Sequence, residues 1–245
     1  MSCANNLKHL GLALHNYADI HAYKPAAGQS SPRLPAGTIP NAKLTPDQRL
    51  SWLVEILPFI EEDHLYRHLD LDAGWESPVN LLLSQTRIRL LDCGDWRREF
   101  SSAQPWETPY VGIAGLGLDA AALPLGAPNI GVFGYDRQVA FADAKDGTSN
   151  TLMVLESARD TGLWSQGGFT TVRELDPQDK PYLGVGRPFG GTHFSENHVV
   201  QRGHSIGCNA LMMDGSVRFL SDSTSPEVLE ALVTIGGGEK VPLNY

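Results

Sequence analysis

Residues 3–25 read CANNLKHLGLALHNYADIHAYKP, and the remainder of the chain has to be arranged around them. Cys3, Leu7, Leu10, Leu14 and Tyr17 follow one another at intervals of four and three. At 3.6 residues per turn that spacing makes one continuous apolar stripe on a helix. It predicts a helix over about 3–22, ended by Pro25 and the Ala-Ala-Gly after it. No cap residue and no basic-then-apolar leader stands in front of the stripe. The helix is therefore expected to be the lower part of a longer one, and this chain the soluble head of a larger, anchored protein.

The bulk numbers fit a folded globular chain. It has 245 residues, 42% of them apolar and 19% charged, enough for a sizeable core. Gly 25 and Pro 16 point to many turns rather than an all-helical protein. A net charge of −9 argues against binding a phosphate backbone, so no nucleic-acid partner is expected. Trp96-Arg97-Arg98 is a small basic spot that reads as a solvated loop. No run approaches the roughly 18 apolar residues of a membrane span. Cys3, Cys93 and Cys208 allow one pair plus a free thiol, or three buried thiols, and no C-x-x-C is present.

The rest divides into a helical part and a β-rich part. After a Pro/Gly/Ser-rich connector (26–44), Thr45, Pro46 and Gln48 form a capping-box pattern. Leu50, Leu53, Val54 and Leu57 give that helix an apolar face, and Pro58 stops it. Short helices are predicted around 61–69 and 78–85, the latter capped by Ser77, and a strand over 88–91. Beyond residue 100, runs at 109–113, 130–133, 139–142, 151–156 and 162–171 read as antiparallel strands. Asp214-Gly215 between 207–213 and 216–220 predicts a hairpin with a type I′ turn and positive φ at Gly215. Ser225-Pro226-Glu227 opens a last helix, which Gly236-Gly237-Gly238 should close.

None of the chemistry-bearing clusters assembles into an active site. His64 and His68 share a helical face, but acidic and basic neighbours make it a solvated one. His193, Glu196, His198 and His204 gather within a dozen residues, with Asp214 further on. His193, His198, His204 and Asp214 are the weak metal candidates, for zinc or a similar ion. Gly112, Gly115 and Gly117 run G-x-x-G-x-G without a following helix, which does not fit a dinucleotide loop. Aligning Gly147 to the glycine of an EF-hand loop puts Ala142, Ala144 and Met153 at ligand positions. That excludes an EF-hand and leaves open only an irregular calcium site around Asp143 and Asp146. Ser149 in DGTSNT has no marked base, and the string reads as a capped turn. No catalytic residue and no organic cofactor is expected. Trp75, Trp96, Trp106 and Trp164 are candidates either for packing or for stacking on sugars.

Taken in order, CANNLKHLGLALHNY, SWLVEILPFIE, RLLDCGD, PYVGIAGLG, GVFGYDR, FADAKDGTSNTLMVLE and MMDGSVRFLSD resemble one bacterial family. It is the family abundant in planctomycetes and known as domain of unknown function 1559. Its C-terminal signature, His, nine residues, Asp-Gly, is matched by His204 and Asp214-Gly215. The resemblance runs over essentially the whole chain; HFSENHVVQR before His204 departs from it. It implies a pseudopilin-like protein of a type II secretion-like system, anchored in the inner membrane by an upstream segment, with the head in the periplasm or outside the cell. The expected fold is α+β and pilin-like: an N-terminal helix on an antiparallel sheet, with long loops and a C-terminal helix. It is expected to form one head domain over 1–245, helical to about 86 and β-rich over 88–245. Partners would be other copies or other pseudopilins through the N-terminal helix, the isolated head being a monomer or weak dimer. The alternative is an exported module binding a glycan or protein cargo through its loops. Because Cys3 and Cys93 lie in family-like motifs and an exported head meets oxidising conditions, the resemblance also implies a Cys3–Cys93 disulfide. His204 reads either as a ligand or pH-sensitive contact or, the favoured reading, as a structural residue whose imidazole hydrogen-bonds the Asp214 region or a neighbouring loop and pins the hairpin.

Overall fold

The structure, a computed structural model, describes residues 3–22, 31–94, 104–194 and 205–238. Helix α1 spans Cys3–Ile20. At about 1.5 Å per residue its 18 residues run for about 27 Å. Short helices follow: α2 (Trp52–Glu55), α3 (Asp63–Tyr66) and α4 (Pro78–Ser84), interspersed with 3₁₀ turns at Pro46–Gln48, Leu57–Phe59 and Arg89–Leu91. The strands are β1 (Glu107–Thr108), β2 (Tyr110–Leu116), β3 (Leu152–Glu156), β4 (Gly162–Leu163), β5 (Val172–Leu175), β6 (His193–Phe194), β7 (Ser205–Met212) and β8 (Val217–Ser221). The last helix, α5, is Pro226–Leu232.

One mixed sheet organises these elements. Its order is β5-β2-β3-β7-β8, with β6 beside the start of β7 on the side that β3 occupies further along. β1 and β4 pair separately. The period-2 alternation of strands sends neighbouring side chains to opposite faces. Tyr110, Val154 and Leu211 therefore meet the Leu7, Leu10, Leu14 and Tyr17 stripe of α1 in one buried cluster. Val111, Ile113, Leu155, Cys208, Ala210 and Met212 meet Leu229, Leu232 and Val233 in the other. The fold is α+β, a sheet between α1 with the short-helix segment on one face and α5 on the other.

Helix α1 crosses the β7–β8 turn closely. A Cβ at Gly11 would stand 2.9 Å from Leu211 Cδ1 and 3.4 Å from Gly215 Cα, so a bare backbone is needed at the crossing. The His15 ring donates from Nε2 to the Met213 carbonyl (3.0 Å) and fixes the helix at that end of the hairpin.

Several expectations need correction. The helix predicted over 45–57 is broken. The Gln48 side chain accepts from the Thr45 amide (3.1 Å) as a capping box does, but only a 3₁₀ turn follows. Ser51 is pulled extended because its amide donates to Ser165 O (2.9 Å) and its hydroxyl to Trp164 O (2.5 Å). Tertiary hydrogen bonds outweigh local propensity there. The strand expected over 88–91 is a 3₁₀ turn. The runs at 130–133 and 139–142 contribute isolated bridges rather than strands, and 162–171 holds two-residue β4, an isolated bridge at Gln166 and a 3₁₀ turn. The sheet is not wholly antiparallel, because β5 returns beside β2 in parallel.

The hairpin is present, yet its turn is not type I′. Gly215 has φ 84°, whereas Asp214 does not have positive φ. Gly215 N–H donates to Met212 O (3.0 Å) and Met212 N–H to Ser216 O (2.9 Å). This is the three-residue connection with glycine in the left-handed position. Helix α5 is capped by Ser225, whose hydroxyl accepts from the Val228 amide (3.4 Å), as expected. It ends at Leu232, before the glycines: the Ile235 amide is taken by Ile130 O (2.9 Å), which draws the chain away.

Candidate functional site

The most unusual chemistry in the molecule lies where α1 begins and β3 ends. Opposite the Tyr110–Glu156 pair, β3 stops, and β6 takes over beside β7. Between the β7 residues paired with β3 (Ala210) and with β6 (Gly207), the amide of Asn209 faces the gap. A side chain fills it: Glu156 Oε2 accepts from the Asn209 amide (2.7 Å) and from Asn209 Nδ2 (3.0 Å). The same oxygen accepts from Thr192 Oγ1 (3.2 Å) and lies 2.7 Å from His193 Nε2. Glu156 is completely buried and His193 largely so. A buried carboxylate has to be met by donors in this way. Its other oxygen, Oε1, is buried and has no hydrogen-bond partner among the described residues.

Helix α1 brings a third element to this place. Cys3, in its first turn, is joined by a disulfide to Cys93, with the Cα atoms 5.2 Å apart. Asn6, one turn on, donates from Nδ2 to Asp92 O (3.0 Å) and to the Tyr110 hydroxyl (3.3 Å). The start of α1 is thus tied to the segment after the 3₁₀ turn and to β2. The Cys3 and Cys93 sulfurs, a Glu156 carboxylate oxygen and a His193 ring nitrogen all lie within 4.8 Å of one another. These four are a group of potential metal ligands, two of which are now bonded to each other.

The other candidates go elsewhere. His198 and His204, and with His204 the His-to-Asp-Gly signature, lie outside the described residues, as do Glu196 and Trp96. Asp214 caps its own turn, Oδ1 accepting from Ser216 N–H (2.9 Å) and Oγ (2.6 Å), away from His193. Asp146 accepts from the Gly237 and Gly238 amides (2.9 and 3.0 Å), and Asp143 from the Ala140 amide (2.8 Å). These carboxylates serve backbone donors. His64 is exposed, and His68 Nδ1 donates to the His64 carbonyl (2.7 Å) of its own turn. Gly112 and Gly115 lie within β2, and Gly117 follows its end. Trp164 is a core residue donating to Thr86 O (3.0 Å). Trp75 donates to Asp47 O (2.7 Å), and Trp106 packs on the core edge.

Two buried arginines hold the loops around the sheet. Arg137 donates to the carbonyls of Ala114, Ala120, Leu123, Gly131 and Phe133, and burial lowers its pKa to about 10. Arg173 donates to Ser157 Oγ and to the Pro188, Arg159 and Asp160 carbonyls, with Phe169 and Phe189 over its guanidinium. Burial lowers its pKa too, to about 10.

The outward side of α1 lines a groove. His9 and Leu12 face Phe59, Ile60, Arg87 and Arg89 across it. Glu156, Thr192 and Asn209 went unnoticed in the sequence. One signal was available: Glu156 is the single charge in the otherwise apolar run LMVLE, at an α1-facing position.

A family model described as "Protein of unknown function (DUF1559)" matches residues 1–227. No curated protein and no solved structure matches the chain.

Proposed function

The chain belongs to the family described as proteins of unknown function, DUF1559, and we propose that it is a non-catalytic, pseudopilin-like head of a type II secretion-like assembly. In the full-length protein an apolar segment continuous with α1 would anchor it in the inner membrane, with the head on the far side. The observation that carries this reading is the two-faced character of α1. Its Leu7/Leu10/Leu14/Tyr17 stripe is buried on the molecule's own sheet, while Leu12 and Ile20 are 61% and 71% exposed. With Asn16 they are spaced by four, so they form one outward line beside the groove. Such a line suits a neighbouring copy or another pseudopilin packed along the helix. No helix among the described residues is long and apolar enough to cross a membrane.

The groove also serves the alternative, an exported module for a glycan or protein cargo, whose occupant would lie against the same helix face. One experiment separates them. The full-length natural protein is expressed with Leu12→Cys and, separately, Ile20→Cys, fractionated, and treated with a bifunctional maleimide. The expected result is a membrane-associated protein that cross-links into ladders of its own copies. A freely soluble protein, or cross-links only to unrelated cargo, would overturn the assembly reading.

A further inference from the structure

We infer that Cys3, Cys93, Glu156 and His193 form a second state of their site: with the disulfide reduced, they hold one zinc-like divalent cation. This goes beyond the assembly reading and does not depend on it.

The donor set suits such an ion. Two thiolates, an imidazole and a carboxylate are ligands that zinc and cobalt accept together, at about 2.3 Å for sulfur and ~2.0–2.2 Å for nitrogen and oxygen. A tetrahedron with those bond lengths has edges of ~3.3–3.8 Å. The four donor atoms already lie within 4.8 Å of one another, so closing on a cation takes movements of about an ångström or less. Opening the sulfur–sulfur bond supplies the larger outward shift, and His193 Nε2 and Glu156 Oε2, 2.7 Å apart, need to part by only about 0.6 Å if that oxygen binds. The ligands come from four separate places in the fold: the first turn of α1, the segment after the 3₁₀ turn, the end of β3, and β6.

Two independent features favour a cation there. Glu156 Oε1 is buried and accepts nothing from the described residues, although Oε2 is surrounded by donors. A buried carboxylate oxygen without a donor is costly, and a cation satisfies it. His193 Nε2, moreover, lies 2.7 Å from both Glu156 Oε2 and Asn209 Nδ2. A ring nitrogen can donate to the first or accept from the second, never both. Turning its lone pair to a metal removes the conflict and leaves Asn209 to donate to Glu156 alone.

The conversion balances with a phosphine reductant. The disulfide takes two electrons, phosphorus is oxidised to the phosphine oxide, and water supplies the oxygen and both thiol protons. Binding the divalent cation then releases those two protons as the sulfurs become thiolate ligands. The disulfide and the metal exclude each other, because each uses the same sulfur electron pairs. An oxidising compartment would therefore select the cross-link and a reducing one the metal.

The test uses a Cys208→Ala protein, so that only the two site thiols count, with Co²⁺ as probe. Oxidised and phosphine-reduced samples, the reductant removed, are titrated under anaerobic conditions. The reduced protein should take up one Co²⁺ per chain and show thiolate-to-cobalt charge-transfer absorption, with both thiols protected from alkylation until a chelator is added. The oxidised protein should show none of this. Glu156→Gln and His193→Ala should each weaken binding by about tenfold or more, at least what a lost supporting residue costs. Oxidised samples of the variants, checked by circular dichroism, serve as folding controls. If one does not fold, the other decides. No uptake by the reduced protein, uptake without the charge-transfer band, or unchanged affinity in the folded variants would overturn the proposal.

Discussion

Removing the Cys3–Cys93 cross-link should cost this protein a large part of its stability. The bond closes a loop with a sequence separation of 90 residues. In the chain-entropy picture the unfolded state loses about 2.1 + 1.5R ln n cal/mol/K on being closed. With n near that separation the sum is about 15 cal/mol/K, or ~4.6 kcal/mol at 25 °C. Both sulfurs are buried, so replacing them with alanine adds a small packing loss in the same direction. For a chain of this size each kcal/mol moves the melting temperature by about 2–4 °C, so a fall of roughly 9–18 °C is expected. The assay is urea denaturation of the oxidised protein against a Cys3→Ala/Cys93→Ala variant, with a chelator in both so that no metal substitutes for the bond. A lower midpoint is expected, with ΔG in water reduced by several kcal/mol. A difference below about 1 kcal/mol would refute the loop-closure reasoning, showing that the unfolded chain keeps these ends together without the bond.

Three further outcomes follow from the packing. Arg137→Met should destabilise by at least about 3 kcal/mol, since several buried carbonyls lose their donor at about 1–3 kcal/mol each. Arg137→Lys should recover only part, and urea melts in which the methionine variant matched the parent would discredit the clamp. Gly215→Val should cost about 1–2 kcal/mol through backbone strain alone, because the nearest atom to a new Cβ, His15 Nε2, is 3.7 Å away. Gly215→Asn should cost less, and equal melting temperatures for both variants and the parent would count against the positive-φ assignment. The third outcome concerns pH. Burial raises the Glu55 pKa, opposed by the hydrogen bond from the Tyr17 hydroxyl (2.8 Å). A folded pKa above the unfolded one gives a stability contribution that is full below the unfolded value and lost as pH rises through the folded one. Urea midpoints should therefore fall less steeply in Glu55→Gln than in the parent from the ordinary carboxylate range upward. Identical slopes would show that the carboxylate is not desolvated.

Local signals in the chain were strong where one short segment carries its own instruction. The stripe from Cys3 to Tyr17, the Ser77 and Ser225 caps, and Asp214-Gly215 between two apolar runs each located an element through 3.6 or 2.0 periodicity or cap chemistry. Signals failed where distant groups competed for the backbone. Ser51 gave up its helix to Ser165 and Trp164, and Ile235 ended α5 early by joining Ile130. The parallel return of β5 beside β2 has no local signature, because parallel and antiparallel neighbours ask the same alternation of a strand.

The candidate centre belongs mostly to that second kind: the resemblance implied the Cys3–Cys93 bond and His193 stood among the metal candidates, but nothing in the chain joined the two or brought in Glu156. Cysteine at 3, cysteine at 93, glutamate at 156 and histidine at 193 follow no ligand spacing, and Glu156 reads as the end of an apolar strand. The sequence by itself determined that α1 has a stripe to bury, that a β-rich part follows, and that a turn falls at Gly215. These are properties of consecutive residues and their backbone preferences. Only the tertiary structure decided that β3 stops where β6 begins beside β7, leaving the Asn209 amide for Glu156 to satisfy, and that the first turn of α1 arrives at the same spot. The physical reason is that the site is made by strand order and helix docking. Those set which distant segments share one dry place, and they depend on the packing of the whole sheet rather than on any residue's neighbours in the chain.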